Sequence, residues 1–333
     1  MASTVIRPSL AHRSKRASLA IIDDYLGTSA AHFAHIPRSK LQTTVFRETI
    51  VPRNNTKREE LIDRLSPFEL IATMRERTAF PRSILERLPN LKVLLATGTQ
   101  FETFDLACAS ELGIAVVAAP GLGRKTALSS SRQTRQDIKA GGAHPTTQHT
   151  WALIMALARN VAIDDAALKS GNAWQSGLAT GLTGLTIGIV GLGRLGAAVA
   201  RIAHLAWNMR VICWSANLTQ AKADIMAASV GLPIEDGNGE KTFRVVTKEE
   251  LFSQADVVSL HYVLSDRSRG LVGAQELAYM MPSALLINTS RGALIDEQAL
   301  LQALLKGSIR GAALDVFEVE PLEYSSPWRK SNY

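Results

Sequence analysis

The chain has 333 residues, 46% of them hydrophobic and 20% charged, enough for two ordinary folded domains with buried cores. No apolar run reaches the ~18 residues of a membrane span. The two cysteines, Cys108 and Cys213, exclude a disulfide scaffold and a cysteine-rich zinc module and suit a reducing compartment. A net charge of +7 raises the question of a nucleic-acid or membrane partner, and the position of that charge answers it.

Residues 1–17 carry Arg7, Arg13, Lys15 and Arg16 with no acid, a local charge of +4. Residues 121–146 carry Arg124, Lys125, Arg132, Arg135 and Lys139 against Asp137, again +4, which leaves the rest of the chain at −1. Both stretches are rich in Ser, Thr or Gly and do not interleave aromatic with basic residues. They read as a disordered tail and a loop, and no nucleic-acid or membrane partner is expected. The basic, acid-free start also has a weak likeness to a mitochondrial presequence, the alternative to a cytoplasmic location.

Along the chain, short apolar runs suited to buried parallel strands fall at Leu19–Asp23, Leu70–Met74, Val93–Ala96 and Ala115–Ala118. Between them Arg82–Leu88 is amphipathic, with Pro81 at its start and Ile84, Leu85 and Leu88 on one face. Thr147–Leu168 reads as one long helix. A second series of strand-like runs follows at Leu185–Val190, Arg210–Trp214, Ala255–Leu260, Ala284–Asn288 and Ala312–Val316. The alternation predicts two doubly wound parallel-sheet α/β domains, Rossmann-like or flavodoxin-like, one on each side of the long helix.

The strongest motif is Gly191-Leu192-Gly193-Arg194-Leu195-Gly196, a G-x-G-x-x-G between a strand and a helix. Its glycines permit a tight turn, close approach to a pyrophosphate, and close helix–strand packing. Free N–H groups at the helix start would receive the phosphates. The next strand, Arg210–Trp214, is followed by Ser215 where an acid would bind a ribose 2′-hydroxyl and repel a 2′-phosphate. Ser215, Asn217 and Thr219 can hydrogen-bond either form, so NAD and NADP both stay open. No metal site is expected.

Several ordered blocks resemble the D-isomer-specific 2-hydroxyacid dehydrogenases. They are Ile22-Asp23-Asp24-Tyr25, Leu91-Lys92-Val93 with Thr97-Gly98-Thr99, Phe104-Asp105-Leu106, Thr150-Trp151-Ala152-Leu153, Leu185 to Gly196, Val258-Ser259-Leu260-His261, Ile287 to Gly292, and Leu314 to Pro321. The resemblance implies a substrate domain over 18–147 with an irregular insertion at 121–146. It implies an inserted NAD(P)-binding domain over 148–322, a shortened return to the substrate domain over 323–333, and a homodimer. The implied activity is hydride transfer between a nicotinamide and a small 2-keto or 2-hydroxy acid.

The resemblance also implies residue roles. Arg291 binds the carboxylate and keto oxygen, a task suited to an always-charged, two-pronged guanidinium. Glu320 matches the glutamate that pairs with the catalytic histidine and raises its pKa. Gly98 and Thr99 match a loop that meets the substrate carboxylate, and Arg75 is a further candidate anion contact. Thr289, His261 and Asp315 match positions beside the cofactor, Asp315 at its nicotinamide end.

Two departures stand out. After Leu322 the family continues to a T-P-H-like motif whose histidine donates the proton, whereas no histidine follows Asp315 here. The 121–146 connection is also far longer than the family's, so both anomalies suggest a gene-model artefact. The chain as written is expected to bind cofactor with catalysis depressed by the ~10²–10⁴-fold that a general acid contributes. The alternative is an inactive cofactor-binding protein with a sensing or scaffolding role.

Overall fold

A computed structural model describes residues 16–52, 54–74, 77–98, 101, 103–118, 144–172 and 177–330. Most of the expected tail and most of the 121–146 insertion lie outside the described residues, as do 331–333. The chain divides into two compact units, Met1–Arg132 and Gln133–Tyr333.

The first unit holds five parallel strands: β1 (Ala17–Ile21), β2 (Leu41–Val45), β3 (Leu70–Thr73), β4 (Val93–Ala96) and β5 (Ala115–Ala118). Their order is β2-β1-β3-β4-β5, the flavodoxin-like winding. Ile71 and Leu94, both fully buried, pack with Leu61, Leu65, Ile84, Leu85 and Leu88. The helix Asn55–Leu65 is started by Asn54, whose side chain accepts the Lys57 N–H at 2.9 Å. The amphipathic stretch at Arg82–Leu88 is regular helix only over Arg82–Leu85, yet its three apolar residues are all buried as the spacing requires. Strand β2 has no counterpart among the expected elements. It is an edge strand of sequence LQTTV, half-buried along most of its length, and shows no continuous apolar run.

The second unit holds six parallel strands: β6 (Thr186–Val190), β7 (Arg210–Trp214), β8 (Arg244–Val245), β9 (Val257–Leu260), β10 (Leu285–Asn288) and β11 (Gly311–Leu314). Their order, β11-β10-β9-β6-β7-β8, is that of a dinucleotide-binding Rossmann sheet. Chain direction across the sheet reverses between β6 and β9, which places a ligand crevice at their carboxyl ends. Strands β6, β9 and β10 are buried at every position, as expected where helices cover both faces.

The single long helix expected over Thr147–Leu168 is two helices, Pro145–Ala158 and Val161–Lys169. Asn160 breaks it with a left-handed backbone at φ +58°, a conformation that asparagine tolerates better than most residues. Its side chain accepts a hydrogen bond from Arg310 Nη2 at 3.1 Å and donates to Gly177 O at 3.3 Å. Apolar residues continue through the break at Leu157, Ala158 and Val161, so spacing alone does not reveal it. The first helix buries Trp151, Ile154 and Ala158; the second buries none of its residues.

Residues 323–330 follow β11. These residues group with the second unit, where Trp328 packs on the Leu294–Leu300 side of the core and donates from Nε1 to Glu297 at 3.1 Å.

Helix Lys248–Gln254 crosses β6 so closely that a Cβ on Gly188 would lie 2.7 Å from Leu251 Cδ2 and 2.9 Å from the Ala255 Cβ. Gly188→Ala is therefore expected to lower stability by about 1–3 kcal/mol through overpacking. Urea unfolding measures this, and Leu251→Ala should cost less in the Gly188→Ala background than alone.

Candidate functional site

The carboxyl edge of the second sheet is built first from glycines. Gly191, at the end of β6, has φ +96°, and a Cβ there would lie 2.6 Å from the His261 carbonyl oxygen. Both the backbone angle and the close approach require glycine. A Cβ on Gly196 would collide with the Gly191 oxygen and lie 3.1 Å from Ile189 Cγ2, so this glycine lets the helix Arg194–Trp207 settle on β6. Gly193 differs: a Cβ there meets nothing within 4 Å, and it precedes a helix with no side-chain cap. The first-turn N–H groups of Arg194, Leu195 and Gly196 therefore stand at a helix start whose dipole favours an anion. Two glycines are demanded by protein packing and the third faces open space, the pattern expected where a pyrophosphate is cradled. The residues present fit a dinucleotide.

The neighbouring strand supplies a nucleoside-sized cleft. Trp214 ends β7, and it lines a cleft of about 490 Å³ together with Ser215, Ala216, Leu218, Val246 and Lys248. Tyr262 stacks on Trp214 with ring centroids 5.9 Å apart and planes 18° apart. Its hydroxyl accepts the Ala216 N–H at 3.2 Å and so fixes the loop after β7. The charges at the rim are already engaged. Lys248 donates to Leu271 O at 2.7 Å and Glu276 at 2.8 Å, and Glu250 closes the capping box of Thr247. With Ser215 at the strand end, no carboxylate stands there to reject a 2′-phosphate.

His261 follows β9. Its N–H donates to Val190 O at 2.8 Å, and its Nε2 lies 2.9 Å from Ser259 Oγ. Burial pushes the imidazole pKa down to about 4, so the ring is neutral near pH 7. Its carbonyl is the wall against which Gly191 closes.

The loop after β10 is held by the fully buried Asn288. Its Oδ1 accepts the Ser290 N–H at 3.0 Å, and its Nδ2 donates to Arg291 O at 2.9 Å. Ser290 Oγ donates to Leu260 O at 2.7 Å, which ties the loop to β9. Arg291 is thus fixed at the backbone, half-buried, with Nη1 donating to Ser290 O at 2.8 Å. The adjacent Gly292 lies against the main chain of Phe317 and Glu318, where any Cβ would collide. That contact joins the loop after β10 to the loop after β11. Asp315 begins the second of these loops, its N–H donating to Asn288 O at 3.0 Å. Glu320 is exposed and its Oε1 accepts the Phe317 N–H at 3.1 Å. Thr289 is buried against Thr150, hydroxyl to hydroxyl at 2.8 Å.

Gly191, Gly193, Ser215, His261, Thr289, Arg291, Asp315 and Glu320 therefore lie in the loops at the carboxyl edge of one sheet, and Arg194, Leu195 and Gly196 in the first turn of the helix that starts there. In the first unit, Gly98 follows β4 with φ +136°, beside Thr97, whose hydroxyl donates to Thr73 O at 3.2 Å. Thr99 and Arg75 lie outside the described residues. At the end of β1, Asp23 is buried with φ +62° and accepts from Thr78 Oγ1 at 2.8 Å; burial pushes its carboxyl pKa up. Among the described residues, no group of three or more His, Cys, Asp or Glu could hold a metal. Sequence reading passed over Tyr262 and His149. The Nε2 of His149 lies 3.2 Å from Asp315 Oδ1. Neither residue has a local signal, because each meets its partner only through the fold.

Residues 151–332 match the family model of the D-isomer specific 2-hydroxyacid dehydrogenase NAD binding domain, and residues 31–135 match the catalytic-domain model of the same family. A glyoxylate reductase of Aeropyrum pernix is 35% identical over 254 residues, covering 73% of this chain and 65% of that protein. A D-3-phosphoglycerate dehydrogenase of Methanocaldococcus jannaschii is 33% identical over 266 residues, covering 79% of this chain and 44% of that protein. The chain thus spans less than two thirds of the length of these relatives. A crystal structure of a phosphoglycerate oxidoreductase from Vibrio cholerae superposes with a TM-score of 0.74 at 29% identity, covering 93% of this chain and 87% of that one.

Gly292→Ala is expected to cost about 1–3 kcal/mol of stability, whereas Gly193→Ala should stay within about 0.5 kcal/mol, as chemical unfolding of the two variants will show. His261 sets a pH dependence. Its folded pKa lies below the ~6.5 of an unfolded histidine, so the unfolded chain takes the proton first as pH falls. Up to about 3 kcal/mol of stability is then lost between pH ~6.5 and about 4. Unfolding midpoints at intervals across that range should fall less steeply for His261→Asn than for the unchanged protein.

Proposed function

The chain belongs to the D-isomer-specific 2-hydroxyacid dehydrogenase family, and from that premise we propose that it transfers a hydride between NAD or NADP and a small 2-keto or 2-hydroxy acid. The observation that carries this reading is the pairing, on one sheet edge, of the Gly191–Gly196 cradle with an arginine held rigidly after β10. The relatives named glyoxylate reductase and D-3-phosphoglycerate dehydrogenase suggest short, anionic acids as substrates.

In this reading, Gly191, Gly193, Arg194, Leu195 and Gly196 hold the pyrophosphate, and Ser215 faces the adenosine ribose. Thr289 and His261 stand beside the cofactor, His261 as a neutral wall, and Asp315 serves the nicotinamide end. When bound, the nicotinamide supplies or accepts the hydride. Arg291 binds the acid's carboxylate and polarises its keto oxygen, its backbone set in advance by Asn288 so that little ordering remains at binding. Glu320 matches the family glutamate that pairs with a proton-donating histidine, and that histidine has no counterpart after Asp315 in this sequence. Gly98 and Thr99 are assigned to the substrate carboxylate on the family resemblance alone, and Arg75 is a further candidate anion contact. A homodimer and a cytoplasmic location complete the proposal on the same basis. Among the described residues, no helix is long and apolar enough to cross a membrane.

The experiment gives purified protein NADH or NADPH with glyoxylate or hydroxypyruvate and follows loss of the dihydronicotinamide absorbance. Slow keto-acid-dependent oxidation is expected, depressed by the ~10²–10⁴-fold that the missing general acid contributes, and Arg291→Gln should lower kcat/KM for the acid by at least about a further 10²-fold with little change in NADH affinity. Saturable cofactor binding without any turnover would favour the sensing or scaffolding alternative. Absence of both would overturn the reading.

A further inference from the structure

Helix Pro145–Ala158 lies against β10 and β11, and its successive residues His149 and Thr150 meet the residues that follow those strands, Asp315 and Thr289. Thr150 is fully buried, and its hydroxyl donates to Thr146 O at 2.8 Å. A hydroxyl has one proton, so in the 2.8 Å contact with Thr289 the Thr289 hydroxyl must be the donor. One position earlier, His149 turns outward. Its Nε2 meets Asp315 Oδ1 at 3.2 Å, with both side chains about half exposed (48% and 49%). The backbone of Asp315 is already pinned to β10 through Asn288 O, but a carboxylate on an exposed loop keeps its own rotamer freedom. The histidine removes that freedom.

We infer that His149 is a positioning residue for the nicotinamide end of the cofactor: its Nε2–H holds the Asp315 carboxylate in the orientation that accepts the carboxamide N–H. This rests on the cofactor reading above. A carboxylate has acceptor sites for about four hydrogen bonds, so engagement by His149 leaves capacity for an amide donor. The helix that carries His149 is fixed by the neighbouring Thr150–Thr289 contact, so the imidazole approaches from a rigid element. As a surface ion pair alone the contact would contribute little to stability and would have no ligand specificity. Specificity for one end of the ligand therefore separates the two roles.

The test compares NADH with ADP-ribose, which keeps the adenosine and pyrophosphate but lacks the nicotinamide. Dissociation constants are measured by calorimetry for the unchanged protein, His149→Ala, His149→Gln, Asp315→Ala and the His149→Ala/Asp315→Ala double variant. His149→Ala should weaken NADH by about five- to twentyfold and leave ADP-ribose within about twofold. His149→Gln keeps an N–H donor and should regain most of the loss. The double variant should be no weaker than Asp315→Ala, because His149 acts through that carboxylate. Equal weakening of both ligands would make His149 merely structural, and unchanged NADH affinity would make it a surface pair; either overturns the inference. Additive losses in the double variant would overturn it too. If His149→Ala lowers the folded fraction, seen as a falling ADP-ribose stoichiometry, His149→Phe, which keeps a ring on the exposed helix face but has no N–H donor, takes its place with the same expected and overturning results. Failure of the unchanged protein to bind NADH would overturn the cofactor reading first and this inference with it.

Discussion

Main chain packed directly on main chain defines the functional edge of the second unit. Gly191 closes on His261, Gly196 on Gly191, and Gly292 on Phe317 and Glu318. No side chain fits between these segments, so the loops that follow β6, β9, β10 and β11 are joined through their backbones. The backbones on those loops inherit that rigidity: the helix start at Arg194 and the main chain of His261, Arg291 and Asp315, whose exposed carboxylate is oriented by its side-chain contact with His149.

The polar groups in these loops follow from the same closeness. A buried Asn288 can be tolerated because both ends of its amide are used, one on Ser290 and one on Arg291, which turns a desolvation cost into a fixed loop geometry. His261 is kept neutral by burial, so it adds shape beside the glycines without adding a charge. Positive character is left to the helix start and to Arg291, which suits a ligand with a pyrophosphate and an acid with a carboxylate.

What could be read from the sequence was whatever is continuous along the chain. Strands β6, β7, β9 and β10 stand out because burial on both faces requires unbroken apolar runs, and the glycine motif stands out because its three members share one loop. Strand β2 did not, since Gln42, Thr43 and Thr44 suit a half-exposed edge. The two-residue strand β8 is too short to carry a pattern. The helix break at Asn160 was hidden by apolar residues on both sides and is set by Arg310, a partner distant in the chain. His149 and Tyr262 were invisible for the same reason: each gains its role from Asp315 or Trp214 across the fold. The basic stretches at 1–17 and 121–146 account for the whole positive balance, so the net charge describes those stretches and not the sheet edge.

The central claim is that the Gly191–Gly196 cradle binds a nicotinamide dinucleotide, and Gly193 offers the most direct test because its missing side chain faces open space. NADH and NADPH would be titrated into the unchanged protein and into Gly193→Asp, with thermal unfolding followed in parallel. The expected result is saturable binding by the unchanged protein, and its loss in the variant at an unchanged unfolding temperature, because the added carboxylate meets the phosphates. Equal binding by the two proteins, or no binding by either, would contradict the claim.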